Sequence, residues 1–203
     1  MDKKIIITVG RQIGSGGHDV ARLLADKFNC RFYDRELLNL AAKESGFSEK
    51  FFEQNDEHKG FFKSIFQMHG SFAEGAFYRN EFSQENLFKF QSDAILKAAS
   101  ETSCVFVGRC ADYVLRNMPG RIDVFITADI DDRIVRVAER KACTPDEARK
   151  IITSGESDRS SYYNYYTGKH WGHSDGYDLC VNTSRLGIEG TAEFVGAFIQ
   201  KKI

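Results

Sequence analysis

Ile5-Ile6-Ile7-Thr8-Val9-Gly10-Arg11-Gln12-Ile13-Gly14-Ser15-Gly16-Gly17-His18-Asp19-Val20-Ala21 decides the fold. A β-branched run suited to a buried strand gives way to four glycines in eight positions, then to a helical period. Strand, glycine turn and helix in that order form the layout of a phosphate-binding loop. There glycines let backbone N–H groups close on an anion, and the helix N-terminus adds positive potential. The candidate phosphate-binding residues are therefore Gly10, Gly14, Ser15, Gly16, Gly17, His18 and Asp19. A glycine cluster alone also serves as a plain turn; its place after the first buried strand favours the phosphate reading. The usual pattern ends in Gly-Lys-Ser/Thr, whereas here Gly16 is followed by Gly17 and His18. The loop lacks its lysine.

Outward from the loop, apolar strands alternate with helices. Strands are expected at residues 5–9, 31–33, 104–107, 122–127 and 179–182. Helices are expected at 17–27, 35–44, 84–100, 130–141 and 188–201. A further helix starts at Thr144-Pro145-Asp146-Glu147, which reads as N-cap, proline at the first helical position and acids in the first turn, and runs toward Tyr166. The expectation is an α/β fold, a parallel five-stranded sheet with helices on both faces. In such sheets ligands collect at the carboxyl ends of the strands. The glycine loop, Asp34-Arg35 after Tyr33, and Gly108-Arg109 after Val107 all fall there.

With 203 residues the chain suits one domain, residues 1–203, with room for a smaller insert. Residues 46–90 form that insert and hold eleven of the seventeen phenylalanines. Three readings fit it: a helical piece packed on the core, a dimer surface making a homodimer, or a cap over a nucleotide base. A net charge of −1 argues against a coat for nucleic acid, and no apolar run is long enough to span a bilayer. Met1-Asp2-Lys3-Lys4 leads into the first strand without a signal-peptide pattern. Five scattered cysteines read as reduced thiols, so a cytoplasmic location is expected. Lys169-His170-Trp171-Gly172-His173 offers two histidines and no third ligand, a poor metal site.

Outside the loop, Arg109 is a candidate phosphate or acceptor contact, because an arginine at a strand end offers a bidentate fork. Arg133, Arg136 and Arg140 recur at helical spacing and share a face.

Gly14-Ser15-Gly16-Gly17-His18-Asp19-Val20-Ala21 resembles the Gly-Ser-Gly-Lys-Gly-Thr-Val-Ala loop of cytidylate kinases. Gly108-Arg109 is similar to that family's Gly-Arg-Asp element, Arg133 and Arg136 to the helix that opens its lid, and Asp158-Arg159 to its lid segment. Gly10-Arg11-Gln12-Ile13-Gly14-Ser15-Gly16-Gly17, Tyr33-Asp34 and the Tyr-rich stretch before Trp171 resemble the divergent cytidylate kinase-like family. The resemblance implies a P-loop kinase fold with a lid-like region at 130–170, ATP and Mg²⁺ as cofactors, and nucleotide substrates. Phosphoryl transfer to a nucleoside monophosphate such as CMP or dCMP would follow; a nucleotide-binding regulatory protein with little catalysis is the alternative. On this alignment Gly17 takes the lysine slot, Arg11 is the nearest substitute cation, and Asp19 or Ser15 would meet Mg²⁺. Arg133, Arg136 and Arg159 would close on the transferring group, with Asp34, Arg35 and Arg109 on the acceptor side. Asp34 equally suits a plain helix N-cap.

Overall fold

The computed structural model describes residues 4–34 and 74–202. The strands β1 (Ile6–Arg11), β2 (Arg31–Tyr33), β3 (Cys104–Val107), β4 (Arg121–Thr127) and β5 (Leu179–Asn182) form one sheet in the order β2-β3-β1-β4-β5. Every pairing is parallel, as the uninterrupted apolar runs require. The helices are α1 (Gly17–Lys27), α2 (Glu74–Glu101), α3 (Ala111–Val114), α4 (Ile130–Lys141), α5 (Pro145–Thr167) and α6 (Thr183–Lys202).

Strand alternation separates two cores. Ile7 and Val9 of β1, with Val105, Val107, Val124 and Ile126, face α1 and α6, where Val20, Leu24, Val195 and Ile199 complete the packing. Ile6, Cys104 and Phe106 face α2 and α3 through Ile95, Ala99, Ala111 and Leu115. On this second face Thr8 donates 2.6 Å to Asp123, whose carboxylate also takes the Arg121 guanidinium at 2.6 Å. A buried carboxylate is tolerated there because its oxygens are matched. A third cluster, Ile134, Val137, Ala148 and Ile152, joins α4 to α5 and takes Ile13 from the glycine loop.

Local sequence explains the helix ends. Thr144 and Glu147 form a reciprocal capping box that spans Pro145, so α5 starts where that signature places it. Helix α6 contains Gly187 at φ 69°, a break that separates one leading turn from the helix expected at 188–201. Strand β1 runs past Val9 because Gly10 and Arg11 still pair with Phe125 and Ile126 of β4. Helix α2 begins ahead of the expected residue 84 and takes residues 74–90 into one continuous helix. The helix expected at 35–44, the candidate Arg35 and the insert up to residue 73 lie outside the described residues. Among the described residues, no helix is long and apolar enough to cross a membrane.

Candidate active site

The site is built on the turn from β1 to α1. Gly14 and Gly16 both sit in the left-handed region, at φ 78° and 75°, which glycine adopts without steric cost. Around them the carbonyls are held by donors one after another. Arg159 of α5 donates to the Arg11 carbonyl at 3.0 Å, and the Ser15 hydroxyl to Gln12 at 2.9 Å. Arg133 of α4 donates to Ile13 at 2.8 Å, Arg136 to Gly14 at 3.3 Å, and the Thr183 hydroxyl to Ser15 at 2.8 Å. Five consecutive carbonyls are thus engaged. The amides behave differently: among the described residues, those of Gly14, Gly16 and His18 meet no acceptor. Such spare N–H groups at a helix N-terminus form an anion nest.

Arg133 is 5% exposed and anchors this arrangement. Its second contact is Glu156 of α5 at 2.6 Å, and the same Glu156 oxygen accepts from the Ile13 amide at 3.2 Å. Arg133 and Arg136 therefore grip the loop from outside. The side chains expected to close on the transferring group hold the loop's carbonyls, because the face of α4 at this spacing packs against the loop.

Ser15 is fully buried; its Oγ donates to Gln12 and accepts from the Gly17 amide at 3.3 Å. It is spent on the turn. Asp19, in the first turn of α1, has a side chain 60% exposed, so its carboxylate is the open hard-oxygen donor beside the nest. One carboxylate plus water and substrate oxygens is how Mg²⁺ is commonly held, so the residues present fit ATP with Mg²⁺. His18 stands between two acids: Asp34 at 3.3 Å from one ring nitrogen and Asp19 at 3.7 Å from the other. The structure thus brings Asp34, at the end of β2, to the start of α1.

Arg109 comes from a feature that sequence reading did not find. Gly108, Arg109 and Cys110 are three successive left-handed residues, at φ 74°, 56° and 54°. Two of them are not glycine, which makes the end of β3 a strained turn of the kind found at working sites. The Arg109 guanidinium lies 5.6 Å from the centre of the Tyr162 ring, and Phe88 stacks on Tyr166 at 4.0 Å. Burial pushes the Tyr162 phenol up to about 12 against the opposing charge of Arg109.

Helix α5 therefore lies across the site, touching it through Glu156, Arg159, Tyr162 and Tyr163 at helical spacing. Tyr163 donates 2.6 Å to Asp112 of α3, whose carboxyl is raised, mainly by burial. This contact predicts a pH effect. The unfolded chain releases the Asp112 proton near the ordinary value while the folded protein keeps it. Stability is therefore lost as pH rises from that value to the raised one, and is level beyond it. An Asp112→Asn variant lacks this loss and still accepts from Tyr163. Its unfolding midpoint, measured against the unchanged protein, is expected to gain as pH rises above the ordinary carboxyl range; parallel profiles would remove Asp112 as the source.

A parallel sheet in this strand order, with a glycine nest after β1 and arginines drawn in from α4 and α5, defines a P-loop kinase fold. The chain belongs to the cytidylate kinase-like family, whose model matches residues 6–185. It is 27% identical over 198 residues to a cytidylate kinase of Pyrococcus horikoshii, covering 97% of this chain and 88% of that one. A solved structure from Eubacterium ventriosum, described as an uncharacterized protein, superposes with a TM-score of 0.75 at 28% identity over 97% of this chain and 99% of its own. Shikimate kinase from Bacteroides thetaiotaomicron shares the fold at a TM-score of 0.55 and 14% identity, over 97% of this chain and 98% of its own.

Proposed function

We propose that this protein transfers the terminal phosphoryl group of ATP to a nucleoside monophosphate, with CMP and dCMP the first acceptors to examine. The observation that carries the reading is the division of the loop, with carbonyls 11–15 engaged and the amides of Gly14, Gly16 and His18 left for an anion. Kinship with cytidylate kinases supports the choice of acceptor.

In this reading the spare amides hold the donor phosphates, and the start of α1 adds its positive potential. Asp19 holds Mg²⁺, which supplies charge neutralisation at the phosphates when bound. Arg133, Arg136 and Thr183 keep the loop carbonyls away from the anion, so the nest needs no rearrangement during transfer. Arg109 and Asp34 stand on the acceptor side, and α5 covers the site and excludes water. A monophosphate oxygen is already anionic, so attack requires positioning and charge stabilisation without a general base.

The lysine-free loop favours the second reading, a nucleotide-binding regulatory protein. Coupled ADP release with ATP, Mg²⁺ and CMP, dCMP, UMP, AMP or dAMP separates the two. Acceptor-dependent ADP release is expected, strongest with a cytidine monophosphate. ATP raising the unfolding midpoint with no acceptor stimulating release would select the regulatory reading.

A further inference from the structure

Gly17 occupies the slot where cytidylate kinase loops carry lysine, and the structure shows what fills the space. Gly17 is the first residue of α1 and needs no left-handed backbone, so its conformation alone does not call for glycine. A Cβ built on it would lie 2.5 Å from Cβ and 3.2 Å from Cγ of Arg11, and 3.0 Å from Cβ of Ile126. The Arg11 Cβ is fixed by strand β1 and cannot swing away. The other end of the same side chain lies at Gly108, where an added Cβ would fall within the guanidinium. Two glycines far apart in sequence thus bracket one arginine, Gly17 beside its stem and Gly108 beside its head.

We propose that Arg11, Gly17 and Gly108 form one unit that moves the loop's fixed cation from the start of α1 to the end of β3. There it acts on the oxyanions of the acceptor phosphate and of the phosphoryl group in transit, leaving the donor's inner phosphates to the amides. The direction follows from topology. β3 lies between β1 and β2, so the head of Arg11 is carried toward Arg109 and Asp34, away from β4. A guanidinium delivered there presents a planar fork matched to two phosphate oxygens, which an ammonium does not. The glycine at the lysine slot is then the space requirement of Arg11. The half concerning oxyanions rests on the phosphoryl-transfer reading; the half concerning space does not.

A double-mutant cycle tests the space claim without any turnover. Gly17→Lys is expected to lower the unfolding midpoint strongly in the unchanged protein and much less beside Arg11→Gly, which removes the fixed Cβ. Midpoint shifts that simply add would overturn it. Arg11→Lys tests the placement of charge. It is expected to lower kcat/KM for the acceptor about 30–100-fold, the size of a lost charge-assisted fork, while the affinity for ATP changes less than about twofold. An equal loss in ATP affinity would return the cation to the donor side and overturn the placement. If no acceptor turns over, the same variant is read by midpoint shifts with CMP and with ATP. A weakened CMP shift beside an unchanged ATP shift supports the placement, and any other pattern overturns it.

Discussion

Glu156→Ala is expected to lower the unfolding midpoint by roughly 10 °C and to remove most ATP-dependent stabilisation. The carboxylate serves two partners, the Arg133 guanidinium at 2.6 Å and the Ile13 amide at 3.2 Å. The Arg133 side chain is 6% exposed, so without Glu156 a buried cation keeps, among the described residues, only the Ile13 carbonyl. Stripping one partner from a buried pair costs about 3–5 kcal/mol; the lower end applies because the Glu156 side chain is 22% exposed. A chain of this size loses about 2–4 °C per kcal/mol, which gives the stated shift. The functional loss follows from the same contact, since Ile13 and Gly14 belong to the loop whose amides form the nest. A second variant separates loss of charge balance from loss of packing. Arg133→Met with Glu156→Ala removes the stranded cation and is expected to be no less stable than Glu156→Ala alone. If the two substitutions instead add, the pair is not the source of the loop's rigidity.

That clamp shows where sequence reading ended. The strands at 104–107 and 179–182 and the helix at 130–141 were legible to the residue, because apolar runs and helical periods are local signals. So was the start of α5, whose capping box lies within four residues. The role of Glu156 was not legible. Its partner amide lies 143 positions earlier, and nothing in the neighbourhood of residue 156 distinguishes it from other surface acids. The helical face shared by Arg133 and Arg136 was legible, but its orientation toward the loop carbonyls was not. Spacing puts two arginines on one helical face without saying whether that face meets the substrate or the back of the loop. The strained turn at Gly108, Arg109 and Cys110 also left no mark, because left-handed backbone at non-glycine residues is imposed by tertiary packing. The glycine loop shows the same divide. Its composition predicted a tight strand-to-helix turn, whereas the crowding of Gly17 against Arg11 needed the path of that side chain.

Gly14→Ala is expected to produce the larger loss of the two, unfolding more than 10 °C below the unchanged protein and giving no ATP-induced shift. Two costs combine at this position. A side chain at φ 78° is strained by about 1 kcal/mol relative to glycine. The added Cβ would also stand 2.7 Å from the carbonyl oxygen and 3.0 Å from the Cα of Arg133. Those are backbone atoms of α4, so relief requires moving the helix, and with it both arginines that hold the loop carbonyls. Losses above about 4 kcal/mol come from mechanisms of this kind. Gly168→Ala isolates the first cost. It has φ 67° and nothing within 4 Å of an added Cβ, so a fall of only about 2–4 °C is expected. Thermal unfolding of both variants with and without ATP decides the matter. Equal falls would mean that the loop is set by its own dihedral angles, and that the seat of α4 against Gly14 contributes nothing to the nest.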